Sequence, residues 1–185
     1  MIIVEGPDGA GKTTLVEHLA EKYDIPISPK VVGSDTKPMI ADLQHWVEMN
    51  LKDGFQWKLF DRHRLISEPI YQAAMGRNAQ EGFDDIRWFT ARMIDFTRIR
   101  PFIIYCLPSY LTVSNNIAHD LENTEIKYLM KMVYPSYVAA AAGDVARGQA
   151  VLFDYNFDYG FSRIDMLFEL WIKNNRNRLG VKVIK

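Results

Sequence analysis

The sequence predicts a three-layer α/β/α domain around a five-stranded parallel sheet. Three observations carry that prediction. Short β-rich runs alternate with stretches of helical periodicity along 185 residues. The composition, 48% hydrophobic and 24% charged, suits one compact core. A glycine-rich turn joins the first run directly to the first helix, as expected where a ligand binds at the carboxyl ends of parallel strands.

In order, the predicted strands are IIVE at 2–5, ISPKVV at 27–32, WKLFD at 57–61, FIIYCL at 102–107 and AVLFDY at 150–155. Pro29 weakens the second, because proline has no N–H to give a ladder. Leu15, Val16, Leu19 and Tyr23 form a helical stripe after the first strand, and Met39, Ile40, Leu43, Trp46 and Val47 form another. Ile86, Phe89, Met93 and Phe96 mark a third stripe. Ile126, Leu129, Met130, Val133 and Tyr137 mark a fourth, with Pro135 as a kink point. Ile164, Leu167, Phe168 and Trp171 mark the last, where Ser162 and Asp165 are placed to cap. The closing VKVIK reads as an extra edge strand.

A net charge of −1 provides no basic field of the kind that non-specific nucleic-acid binding needs. The single cysteine, Cys106, lies in an apolar run and reads as core. No run of 18 uncharged apolar residues occurs and no basic leader precedes the first strand, so the expectation is a cytoplasmic chain without a membrane partner.

Residues 6–13, Gly-Pro-Asp-Gly-Ala-Gly-Lys-Thr, satisfy G-x-x-x-x-G-K-[ST] between a strand and a helix. Gly6, Gly9, Ala10 and Gly11 would turn backbone N–H groups towards phosphate oxygens, and the helix starting near Thr14 would add its positive end. Lys12 would reach the β- and γ-phosphates of ATP, and the Thr13 hydroxyl would join the shell of a Mg2+. An ordinary glycine-rich turn would match the four fixed positions in on the order of one chain in a hundred this long. Asp8 beside that nest is electrostatically costly unless a metal or a second substrate shares the space, and Glu5 reads as exposed at the site mouth.

The third strand runs into FDRHRLISEPIYQ at 60–72. Asp61 is placed to hold Mg2+ through water, and Arg62 to fork onto phosphate oxygens. His63 reads as structural more readily than as a base, since phosphoryl transfer mainly needs positioning and charge neutralisation.

EGPDGAGKTT followed by DRHRLISEPIYQ resembles the thymidylate kinases and related P-loop deoxynucleotide kinases, which read EGxDGAGKTT and DR[YH]…S…YQ. The resemblance spans nearly the whole chain. It implies a nucleoside-monophosphate-kinase-like fold with ATP bound by Gly6, Asp8, Gly9, Ala10, Gly11, Lys12, Thr13 and Thr14. It makes Lys12, Arg62, Asp8 and Asp61 the catalytic group, and Thr13 and Asp61 the metal-holding pair. Asp8 would lie near the acceptor's sugar, Arg62 would bridge donor and acceptor phosphates, and Ser67, Tyr71 and Gln72 would line the acceptor pocket, with Tyr71 excluding a ribose 2′-OH. Phe153, Asp154 and Tyr155 would sit near the donor's adenine. Such kinases are often dimers, so the aromatic helix at 84–99 has a homodimer contact or the core as its two readings.

The chain departs from that pattern in three places. The Asp61-to-Tyr71 spacing is one residue longer, IADLQHWVEMN offers Trp46 but no arginine, and the short lid expected around 113–126 contains no arginine. Arg64, Arg77, Arg87, Arg92, Arg98 and Arg100 are the alternative sources of charge. Helical spacing favours Trp88 with Arg92, a ring and a guanidinium one turn apart.

The leading expectation is ATP-dependent phosphorylation of a deoxynucleoside 5′-monophosphate, dTMP or a related pyrimidine. A deoxynucleoside kinase using Asp35 as base, a kinase acting on a base within DNA, and a nucleotide-binding regulatory protein without turnover are the rivals.

Overall fold

The computed structural model of the chain describes residues 1–30, 35–53, 56–120, 124–158 and 160–179, with backbone alone at 118–120, 124–127 and 176–179. Strands β1 (Ile2–Glu5), β2 (Leu59–Asp61), β3 (Phe102–Cys106) and β4 (Ala150–Phe153) form one parallel sheet in the order β2-β1-β3-β4. Helices α1 (Lys12–Tyr23), α2 (Lys37–Asp53), α3 (Arg64–Met75), α4 (Phe83–Thr97), α5 (Tyr110–Asp120), α6 (Thr124–Ala146) and α7 (Ser162–Leu179) surround it.

Alternation along β1 separates two cores. Ile2 and Val4 pack with Leu15, Leu19, Tyr137 and Phe168 on one face, while Ile3 packs with Leu43, Trp46, Ile86 and Met93 on the other. Both faces of a parallel sheet are thereby covered, so its strands can be apolar throughout. Cys106 is fully buried in the first core, where burial pushes its thiol up to about 12. It is filling, not a nucleophile.

Among the described residues the sheet has four strands where the sequence suggests five. Of the expected strand at 27–32, Ile27 makes a single parallel bridge to Leu59, with the Ser28 N–H donating to the Leu59 carbonyl at 2.8 Å. Pro29 follows and offers no N–H to continue the ladder. Residues 31 and 32 of that run, and the VKVIK expected as an edge strand, lie outside the described residues. Of the segment expected as a lid, 113–120 ends α5 and 124–126 begins α6; residues 121–123 lie outside the description. Asp165 is not a simple cap of α7. Its carboxylate accepts from His18 at 2.9 Å and Tyr23 at 3.2 Å and pairs with Lys22 at 2.9 Å, tying α7 to α1.

Candidate functional site

The loop from β1 to α1 crosses over the carboxyl end of β3. Gly6 has φ 145°, and a Cβ there would lie 2.3 Å from the Cys106 carbonyl oxygen. Gly11, at φ 78°, lies under the Tyr155 ring, 3.1 Å from where a Cβ would stand. Asn116 of α5 donates to the Gly9 carbonyl at 2.7 Å and to the Tyr155 hydroxyl at 2.8 Å, bracing the loop from above. Ala10 is buried beneath it, and Thr14 faces solvent on the first turn of α1.

Beside this loop lies a cavity of about 430 Å3, within the range of small-ligand sites. Asp8, Lys12, Thr13, Asp61, Arg62, Ser67 and Tyr71 all line it, so two motifs some 50 residues apart meet in one space. The Lys12 ammonium donates to the Pro7 carbonyl at 2.6 Å. Burial, with the nearby Arg62 charge, lowers its pKa to about 8, so an arriving phosphate would favour its protonated form. Arg62 ends β2 in the left-handed region at φ 67° and donates to Asp8 at 2.8 Å and to the Gly6 carbonyl at 3.3 Å, with its guanidinium 5.7 Å from the centre of the Tyr71 ring. Its Nε is buried without a hydrogen-bond partner, so one donor of the fork is unspent.

The Thr13 hydroxyl donates to the Asp61 carboxylate at 3.1 Å. Lys30 meets both, with its ammonium 2.5 Å from Asp61 Oδ2 and 3.2 Å from Thr13 Oγ1. A cationic group thus already stands between these two oxygens, and the donor set suits a hard divalent cation. Among the described residues no trio of Asp, Glu, His and Cys gathers as a metal site, so Mg2+ here would take most of its shell from phosphate and water.

The far end of the cavity brings in Glu68 and Gln80, which the sequence did not single out, beside Arg64 and Arg77, two of the six arginines it offered. Glu68 is 1% exposed on the inner face of α3. It accepts from Arg64 at 2.8 Å, from both Nη atoms of Arg77 at 2.6 and 3.1 Å, and from the Gln80 N–H at 3.1 Å; Arg64 also meets the Gln80 side chain. Burial opposes its ionisation, but Arg77, the Gln80 amide and Arg64 outweigh it and hold the carboxyl below the usual range. Arg64, Arg77 and Gln80 line the cavity together with Met39 and Met75.

Other expectations fall elsewhere. Trp88 and Arg92 do not line the cavity: α4 buries Ile86, Thr90 and Met93, which turns Trp88 outward at 53% exposure with the Arg92 guanidinium 5.2 Å from the centre of its ring. Gln72, one position past Tyr71, does not line it either. Trp46 is core, its indole N–H donating to the Gln56 carbonyl at 2.9 Å. Asp35 is exposed and accepts from the Lys37 N–H at 3.1 Å at the start of α2. Glu5 is fully buried, not at the mouth; it accepts from the His63 N–H at 2.6 Å and the Tyr137 hydroxyl at 3.1 Å, and burial raises it to about 7. His63 is structural. Its Nδ1 accepts from the Leu65 N–H at 3.2 Å as the cap of α3, its Nε2 meets Thr90 at 3.3 Å, and burial lowers it to about 3.

No protein-family model matches this chain, and no curated protein does. Solved structures do. The deoxyadenosine kinase of M. mycoides with bound dCTP is 18% identical, with a TM-score of 0.55 over 94% of this chain and 100% of that one. The YorR protein of Bacillus subtilis, in complex with phosphorylated GDP, is 14% identical, with a TM-score of 0.60 over 94% and 96%. The fold is that of the P-loop nucleoside kinases. The narrower resemblance to thymidylate kinases rests on the two sequence motifs alone.

Proposed function

We propose that the protein transfers the γ-phosphoryl group of ATP to a deoxynucleoside 5′-monophosphate, dTMP or a related pyrimidine. The observation that carries this reading is the charge of the cavity beside the glycine loop. Lys12, Lys30, Arg62, Arg64 and Arg77 line it against Asp8, Asp61 and Glu68, an excess of cations on a chain whose net charge is −1. Such an excess suits a donor triphosphate and an acceptor that brings a phosphate of its own.

Each group then has a task. Lys12 and the glycine loop would grip the donor phosphates, while Arg62, held by Asp8 and the Gly6 carbonyl, would bridge donor and acceptor phosphates. Mg2+ at Thr13 and Asp61 would neutralise charge on the transferring phosphoryl group. Arg64 and Arg77, fixed by Glu68, take the acceptor-binding part that helical spacing had suggested for Arg92. Tyr71, beneath Arg62, would crowd a ribose 2′-OH. Catalysis is by alignment and charge, with no covalently modified side chain.

The deoxynucleoside kinase reading has the neighbours in its favour, one of which is a deoxyadenosine kinase. It needs a carboxylate to receive the 5′-hydroxyl proton; Asp35 does not line the cavity, and of the carboxylates that do, Asp8 is paired with Arg62, Asp61 with Lys30, and Glu68 with Arg64 and Arg77. Incubation with ATP, Mg2+ and a panel of deoxy- and ribonucleosides, their monophosphates and single-stranded DNA, read by chromatography, separates these. Diphosphate formed from a deoxynucleoside monophosphate is expected. Product from a nucleoside alone, or only on DNA, would replace this reading with the corresponding rival.

A further inference from the structure

We propose that Lys30 is a resident cation of the metal position: it holds Thr13 and Asp61 together whenever no metal is bound, yields to Mg2+, and then turns its ammonium to the transferring phosphoryl group. The second half rests on the kinase reading above; the first does not. Lys30, Thr13 and Asp61 close a triangle in which the lysine donates to the threonine oxygen, the threonine donates to the carboxylate, and the ammonium pairs with that same carboxylate oxygen. The Asp61 side chain is 4% exposed, so its charge would stand buried and uncompensated without this partner. The Lys30 side chain is 52% exposed and ends a flexible four-carbon stem, so it can leave without disturbing the core.

The two cations cannot share the position. A divalent ion held by Thr13 and Asp61 would compete with the ammonium that meets both side chains, with strong like-charge repulsion. Pro29 and the bond from Ser28 to Leu59 anchor the lysine's backbone at the cavity wall. The displaced head therefore stays near the cavity, where phosphate is the anion available. This would supply a positive charge that residues 113–126, with no arginine, do not.

The test uses Lys30→Met, which keeps the stem, and Lys30→Arg, which keeps the charge, in the full chain with circular dichroism as a folding control. Mn2+ binding without nucleotide is followed by electron paramagnetic resonance, and the Mg2+ concentration giving half-maximal ADP binding is followed by calorimetry. Lys30→Met is expected to bind Mn2+ about tenfold more tightly and to need correspondingly less Mg2+, since a competing charge is gone, while Lys30→Arg stays near wild type. At saturating Mg2+, kcat of Lys30→Met should fall tenfold or more. Unchanged or weaker metal binding in Lys30→Met by both measurements, including no detectable Mn2+ in either protein with equal Mg2+ dependence, overturns the proposal. Tighter metal with unchanged kcat overturns its second half. If the wild type binds no Mg·ADP, the kinase reading fails, and the Mn2+ comparison still decides the displacement.

Discussion

Two buried carboxylates brace the two ends of the cavity, and they are held in opposite ways. Glu5, behind the glycine loop, is met by neutral donors, the His63 N–H and the Tyr137 hydroxyl, and burial raises it to about 7. Glu68, at the far end, is gripped by Arg64 and Arg77 and held below the usual range against the cost of burial. Behind the glycine loop the buried acid is thus held by neutral groups and leaves Lys12 to its loop carbonyl, whereas the far end commits two guanidinium groups to an internal anion and gains fixed geometry. Breaking either arrangement should have a distinct signature.

The largest effect is expected where a reserved cation is removed. Lys12 donates to its own loop at Pro7 and, among the described residues, pairs with no carboxylate, so its charge can turn to phosphate. Lys12→Ala should lower turnover on the order of a thousandfold or more with the thermal midpoint little changed. Steady-state assay beside a melting curve checks this. Near-normal turnover would mean that the phosphate end is not where phosphate is held.

A smaller, differently shaped loss is expected at the far end. Glu68→Gln keeps the shape but removes the charge that forks onto Arg77 and steadies Arg64. The acceptor KM should rise about tenfold or more, as loosened positioning groups cause, while the ATP KM stays within about twofold. Equal changes in both constants would dissolve the distinction between the two ends.

The two ends also differ in how far they were legible. The phosphate end is written in contiguous residues: strand, Gly6 to Thr13, helix, and then Asp61-Arg62 at a strand tip, where parallel-sheet topology alone brings the tips together. The far end depends on a turn. Gly76 ends α3 in the left-handed region at φ 62° and sends the chain back, so that Arg77 and Gln80 reach Glu68 across nine and twelve residues, a spacing that no helical or strand period encodes. The available signal was Glu68 itself, an acid with Arg64 one turn earlier on a face shared with Ser67 and Ile70. Trp88 and Arg92 misled because spacing places two residues on one face without saying which way the face points, and Ile86, Thr90 and Met93 decided that. Glu5 was misplaced for a related reason: its position at a strand end looks open until α6 supplies Tyr137. Lys30 escaped because the pairing begun at Ile27 is not continued past Pro29, and its partners lie 17 residues before it, at Thr13, and 31 after it, at Asp61, where no local pattern reaches.

The smallest expected effect concerns Glu5 and is a matter of sign. A carboxyl raised from 4.5 to about 7 is held neutral in the folded chain while the unfolded chain ionises it. Its contribution to stability is therefore complete below pH 4.5, declines as the pH climbs to about 7, and then levels off, a loss on the order of a few kcal/mol at most. Gln at position 5 imitates the neutral acid: its carbonyl can accept from the His63 N–H, and its amide can donate to a Tyr137 hydroxyl turned to accept. His63, lowered to about 3 by burial, produces the opposite trend, stability lost as the pH falls below 6.5, but it does so in both proteins and cancels in their difference. Denaturant unfolding of wild type and Glu5→Gln across pH 4.5 to 8 should show the variant gaining on wild type as the pH rises. A difference that stays flat would mean that Glu5 is ionised in its pocket and draws on the charges of Arg62 and Lys12.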